Sequence, residues 1–255
     1  HSLRAVDEQA LHELVRGIDE IDPTAPIHVH AAEQRREVEE CVAALDARPV
    51  AFLLSRFALG PRWCIVHATH LDAGECLALA HSEATAGVCP TTEANLGDGS
   101  FATQDYLAAR GSLGIGSDSQ IEIDPCAELR MLEYGQRVRH EQRAVLVGST
   151  LATAHVGRNL WEVACAGGAR AVAQPVGALV PGRRADFVVL DPRHPRMVGH
   201  DADTALDAFV FSAGPAAVRD VFVAGRKVID GGRHRAEEEI VAGFARAMRK
   251  LKEAG

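Results

Sequence analysis

Over the first two-thirds of the chain, short β-branched runs alternate with amphipathic stretches, the rhythm of βα units in a parallel sheet. Ile27-His28-Val29-His30 reads as a strand after the Pro23 and Pro26 punctuation. Residues 33–48 carry Val38, Cys41, Val42 and Leu45 at i, i+3, i+4 and i+7, which predicts a helix with one buried face. Trp63-Cys64-Ile65-Val66-His67 predicts the next strand, followed by a helix over about residues 73–82. A third strand is expected at Gly87-Val88-Cys89-Pro90 and a fourth at 113–118. Counting residues 2–6 as one more gives about five strands, where a closed (β/α)₈ barrel needs eight.

From about Gly177 the texture changes. Residues 177–191 form a turn-rich lead into a strand, and 218–228 give two strands around the Gly225 turn. A closing helix over about 236–252 opens on Glu237, Glu238 and Glu239 and ends on Arg249, Lys250 and Lys252, in line with the helix dipole. Ile240, Phe244, Met248 and Leu251 give it one apolar face. The expected division is 1–176 for the parallel unit, 177–232 for a β module and 233–255 for the last helix.

Polar residues gather at the C-terminal ends of the predicted strands: His30, His67, the Thr91-Thr92-Glu93 run and Asp118. In a barrel those ends converge on one pocket. Neutral imidazoles and a carboxylate suit Zn²⁺ or Fe²⁺, which lower the pKa of a bound water. Glu33, three residues past His30, is placed to carry a proton. About 90 residues separate His30 from Asp118, room for four strands, so the His28-Val29-His30 segment reads as a fifth barrel strand and not a first. His28 is open between pocket and packing, and Glu93 and Asn95 between substrate contact and loop fixing. His70 reads as the start of a loop, His155 as a packing residue, and Asp186 as a turn-stabilising carboxylate.

Composition narrows the classes. Among 255 residues, 47% are hydrophobic and 24% charged, an ordinary globular balance. A net charge of −8 argues against nucleic acid or an anionic membrane as partner. No apolar run approaches the roughly 20 residues of a membrane helix. The six cysteines stand singly, as expected of buried thiols in a reducing, cytoplasmic compartment. The chain opens on His1-Ser2-Leu3-Arg4 without an initiator Met, and with the short strand count it reads as a portion of a larger protein.

These segments, with Cys89-Pro90-Thr91-Thr92-Glu93-Ala94-Asn95-Leu96-Gly97-Asp98-Gly99, the Glu128-Leu129-Arg130 run and the Pro181-Gly182-Arg183-Arg184-Ala185-Asp186 strand entry, resemble the amidohydrolase superfamily. The Thr91–Gly99 stretch and His1-Ser2-Leu3-Arg4 are similar to its branch acting on N-formimino-L-glutamate. The resemblance implies the C-terminal part of a metal-dependent (β/α)₈ TIM-like barrel with strands of a small β-sandwich module. It further implies hydrolytic deimination, in histidine degradation, at one divalent metal, usually zinc, with iron possible. His30 and Asp118 would be metal ligands, Glu33 the proton shuttle, and His67 the group polarising the water, with Asp118 also its base. His1 and Arg4 would hold a carboxylate of the dicarboxylate substrate. The superfamily's first-strand histidine pair is absent, so an N-terminal part of the same protein is expected, and a homodimer. Another deaminase of guanine or cytosine type, or a noncatalytic fragment, are the alternatives.

Overall fold

The computed structural model describes residues 1–119, 122–147 and 154–254. The first element, α1 (Glu8–Ile21), starts where the Asp7 carboxylate accepts the Ala10 amide. The chain then lays down β1 (Ile27–Ala31), α2 (Arg35–Leu45), α3 (Pro49–Arg56), β2 (Trp63–His67), α4 (Ala73–His81), β3 (Thr85–Val88), α5 (Pro90–Leu96), α6 (Thr103–Ala108), β4 (Ser112–Ile115), α7 (Pro125–His140) and α8 (Val156–Ala171). β1 to β4 pair in sequence order as a parallel sheet.

Alternation sorts the two faces of this sheet. Ile27, Val29, Trp63, Ile65, Ala86, Val88 and Leu113 are buried in one core with Val38, Leu53, Leu79, Leu129 and Leu160 from the helices. Full burial of each large aliphatic side chain contributes roughly 1.5–3 kcal/mol. On the other face, His30, Val66, Gly87 and Gly114 stand in register across the four strands. That row carries His30 on a floor of small side chains.

Helix α8 packs against β4, where Gly167 allows a very close approach. A Cβ there would lie 1.9 Å from the Leu113 carbonyl oxygen and 2.9 Å from the Gly114 amide nitrogen, both backbone atoms of β4. Gly167→Ala is therefore expected to cost about 3 kcal/mol or more through overpacking, since the clashing atoms are backbone and cannot step aside as a side chain can. The roughly 1 kcal/mol that alanine gains over glycine inside a helix does not offset it. A lowered urea midpoint at unchanged slope is the expected readout, and an unchanged midpoint would contradict this packing.

The chain continues with β5 (Phe187–Leu190), the short α9 (Ala205–Ala208), a π-helical turn (Phe209–Ala213), a 3-10 turn (Gly214–Ala217), β6 (Val218–Val223), β7 (Arg226–Asp230), β8 (Arg233–His234) and α10 (Glu237–Ala254). β5 to β8 form a separate antiparallel sheet, in which Phe187 and Phe222 stack at 4.4 Å. Asp186 fixes its entry, accepting from Arg184 Nε and the Ala224 amide, each at 2.7 Å. Ile240, Val241, Phe244, Met248 and Leu251 of α10 are exposed.

Four expectations are corrected. Residues 2–6 do not form a strand: Ser2 makes one parallel bridge to His30, and the Ser2 carbonyl then accepts the Ala5 and Val6 amides, which turns the chain at once. The parallel sheet therefore has four strands and one bridge among the described residues. The third strand runs over Thr85–Val88, because Pro90, with no N–H and a fixed φ, opens α5 instead of extending the ladder. The fourth ends at Ile115, where the chain leaves the ladder for the turn around Asp118. The long helix over 33–48 is shorter, ending at Leu45 with left-handed Asp46, and Pro49 starts another. All six cysteines are free, and among the described residues no helix is long and apolar enough to cross a membrane.

Candidate metal centre

Three of the four strand ends carry a non-glycine residue in the left-handed region: Ala32 (φ 53°) after β1, His67 and Ala68 (67° and 50°) at the end of β2, and Asp118 (45°) after β4. Such conformations cost of order 1 kcal/mol or more each and persist where surrounding bonds hold them. The bonds are present. Buried Glu37 accepts the Ala32 amide at 3.1 Å and the Glu33 amide at 2.8 Å, which fixes the turn carrying Glu33. Ala68 N–H donates to the Ala31 carbonyl, joining the first two turns.

Around Asp118 the holding residue is Thr92. Its buried hydroxyl donates to the Ser117 carbonyl at 3.0 Å, accepts the Ser119 amide at 3.2 Å and lies 2.9 Å from the Ser119 hydroxyl. The neighbouring Glu93 is also buried. Its Oε1 accepts the Cys89 amide at 2.9 Å and lies 3.3 Å from His67 Nδ1.

The result is a convergence of His30, His67 and Asp118, one potential ligand atom from each lying within 4.8 Å of the others. The tautomers suit a cation. His30 Nδ1 sits 3.0 Å from the His1 carbonyl, which can only accept, so Nδ1 carries the proton and Nε2 presents a lone pair. His67 Nδ1 faces the Glu93 carboxylate, so Nε2 is again the open nitrogen. An imidazole whose second nitrogen donates to a carbonyl or carboxylate is the usual support of a metal ligand. Burial, and then the neighbouring His67, push the His30 pKa down, favouring the neutral ring. For His67, burial acts downward but is outweighed by the Glu93 hydrogen bond and the charges of Glu33, Glu93 and Asp118, so its pKa is raised. A bound cation would favour the neutral form of both rings. The donor set therefore fits a divalent metal.

Glu33 adjoins this cluster: its Oε1 lies 3.6 Å from His67 Nε2, while Oε2 accepts Arg4 Nη2 at 2.7 Å. Arg4 is also 3.8 Å from Glu37. The His1 ring stacks on His30 at 4.4 Å, and the His1 carbonyl accepts the His30 amide at 2.9 Å. All the expected site residues thus meet at one place, with Arg4 engaged by Glu33.

Other histidines lie elsewhere. His28 Nε2 is 2.8 Å from the Ala171 carbonyl at the end of α8, and His70 Nε2 is 2.7 Å from the Asp98 carbonyl, anchoring the loop after α5. His155 Nδ1 meets Asp207 at 2.6 Å at the start of α8. Sequence reasoning missed Glu37, placed Thr92 at a strand end without giving it a role, and left Glu93 open. The available signal was position: an acidic residue four beyond Glu33, and a hydroxyl beside a carboxylate two residues after the proline that opens a helix.

Comparison with known proteins identifies the family. A family model described as the amidohydrolase family matches residues 1–228. The chain is 46% identical over 252 residues to formimidoylglutamate deiminase of Pseudomonas aeruginosa, covering 98% of this chain and 54% of that protein. It is 32% identical over 197 residues to a 5-methylthioadenosine/S-adenosylhomocysteine deaminase of Halobacterium salinarum, covering 75% and 42%. Among solved structures, an amidohydrolase from Brucella melitensis superposes with a TM-score of 0.89 at 41% identity, over 98% of this chain and 54% of that one. An adenosine deaminase from Xanthomonas campestris with bound zinc, 23% identical, shares the fold at a TM-score of 0.87 over 100% and 56%. The chain spans about half the length of the curated relatives it matches. With the match running from residue 1 to 228, through every strand end that supplies the site, the chain belongs to the amidohydrolase family.

Proposed function

We propose that the full-length protein hydrolyses N-formimino-L-glutamate to N-formyl-L-glutamate and ammonia. The reaction class is supported by the cluster of His30, His67 and Asp118 with Glu33 beside it. The observation that carries the substrate is the 46% identity to the Pseudomonas aeruginosa deiminase along nearly the whole chain. On this reading the parallel sheet is the C-terminal half of a (β/α)₈ barrel, and the antiparallel sheet contributes to a β-sandwich. Unpaired cysteines support a reducing, cytoplasmic setting.

A single divalent metal, zinc or iron, would be held by His30 and Asp118, with His67 in reach of the same point. When bound it supplies the positive charge that makes a water nucleophilic near neutral pH. The chain's own residues manage the protons. Water adds to the formimino carbon and the bond from that carbon to the terminal nitrogen breaks. The water gives up two protons, the first to Asp118 and the second, as the adduct collapses, to Glu33; both end on the departing nitrogen by way of Glu33, so it leaves as ammonia and both carboxylates return to their starting charge. His67 Nε2, with Nδ1 fixed by Glu93, hydrogen-bonds the attacking oxygen.

Arg4 would bind a substrate carboxylate. Its Nη2 serves Glu33, and a guanidinium carries five N–H donors, enough to hold a second carboxylate as a fork. His1 stands beside it.

Ammonia release from N-formimino-L-glutamate by the full-length protein tests the reading, and release from guanine or another ring substrate alone would overturn it. Arg4→Met is expected to raise KM for N-formimino-L-glutamate more than it lowers kcat. An unchanged KM would remove Arg4 from substrate recognition.

A further inference from the structure

Three consecutive residues at the start of α5 each tie down a different part of the molecule. Thr91 gives its amide and hydroxyl to Glu128 of α7. Thr92 closes the 117–119 turn through the carbonyl and amide on either side of Asp118. Glu93 meets His67 Nδ1. Thr92 and Glu93 thus act on two different members of the cluster, one on β2 and one after β4, from adjacent positions of one helical turn.

We propose that Thr92 and Glu93 are positioning residues that together set the spacing between His67 and Asp118. A peptide link fixes the separation of their backbones, so the two site residues are referenced to one rigid piece and not only to their own strands. The need is specific. Asp118 is exposed and sits in the left-handed region beyond the end of β4, outside the ladder, so strand pairing alone does not orient it. Thr92 is fully buried, and its hydroxyl is the side-chain group that spans the turn on both sides of Asp118. Pro90 in the first turn of the helix fixes the backbone from which both side chains leave.

This inference rests on the reading of His30, His67 and Asp118 as the metal cluster, and the test separates the two. In the full-length protein, zinc affinity is measured by competition with a chromophoric chelator, alongside the thermal midpoint of the metal-free protein. Thr92→Val, which keeps the shape and removes the hydroxyl, is expected to weaken zinc binding about tenfold to a hundredfold, the usual effect of losing a group that orients a ligand. Thr92→Ser restores the hydroxyl and should return the affinity to the wild-type range. Thr91→Val loses the same chemistry one residue away, on a contact to α7, and should lower the midpoint while leaving zinc affinity unchanged. Equal zinc affinity in Thr92→Val and wild type, or equal weakening by Thr91→Val and Thr92→Val, would overturn the proposal. Zinc binding that His30→Ala leaves untouched would instead overturn the metal-centre reading, and the positioning role with it.

Discussion

Glu33→Gln is expected to lower turnover of N-formimino-L-glutamate by about 10²- to 10⁴-fold while bound metal stays at the wild-type level. At 1.36 kcal/mol per tenfold, that removes roughly 3–5 kcal/mol of transition-state stabilisation. Glutamine has the same shape and keeps an oxygen for the Arg4 contact, now made to Glu33 at 2.7 Å. The backbone that presents the side chain is held from outside, by Glu37 on the Ala32 and Glu33 amides, so the turn survives the substitution. What is lost is a group able to take up and release a proton next to His67 Nε2. Steady-state ammonia release and metal content of the same preparation decide the matter. A kcat within a few-fold of wild type would take proton transfer away from Glu33.

The second large effect belongs to Asp118→Asn, and it strikes both readouts. Asparagine tolerates the left-handed conformation, here φ 45°, as well as aspartate does, so the turn clamped by Thr92 is kept. The substitution removes the negative charge facing the two imidazoles and, on the proposed mechanism, the acceptor for the first proton. Zinc affinity should fall by more than the tenfold to hundredfold seen when a mere supporting residue is lost. Turnover at saturating metal should still be depressed, because the base is missing even when the metal is restored. Full activity regained with added zinc would confine Asp118 to metal binding, and unchanged affinity would remove it from the cluster.

The strands that carry the site were legible because each is a β-branched or aromatic run ending in a polar residue. Ile27 to His30 and Trp63 to His67 are both of this kind, and β1 and β2 span Ile27–Ala31 and Trp63–His67. His30, His67 and Asp118 stood out as chemistry-bearing residues at those ends, and they converge in space. The roles of Thr92 and Glu37 were not legible. A threonine hydroxyl that closes a turn 25 residues away looks, in sequence, like any threonine in a polar loop, and Glu37 lies in a run of charges that reads as a solvated helix face. The false strand at residues 2–6 has the opposite cause: Ser2 does pair with His30, but a local turn captures the next amides before a second rung can form. Arg4 lies beside the site, and its contact with Glu33 depends on the fold of two distant segments, which no local pattern encodes.

Glu37, Thr92 and Glu93 all fall between His30 and Asp118 in the chain. Support from further away comes from residues 1 and 2: the His1 carbonyl on His30 Nδ1, the His1 ring stacked on His30, and the Ser2 bridge. A recombination event upstream of residue 28 would therefore transfer the cluster with Glu37, Thr92 and Glu93 into a new background as one piece, and because the His30 tautomer is set by a main-chain carbonyl, the side chain at position 1 could vary without changing it. Arg4 would be left behind. On the proposed reading, the groups that would handle protons and metal in this chain and the group that would bind the substrate carboxylate thus lie on separable segments, and a change at one need not disturb the other.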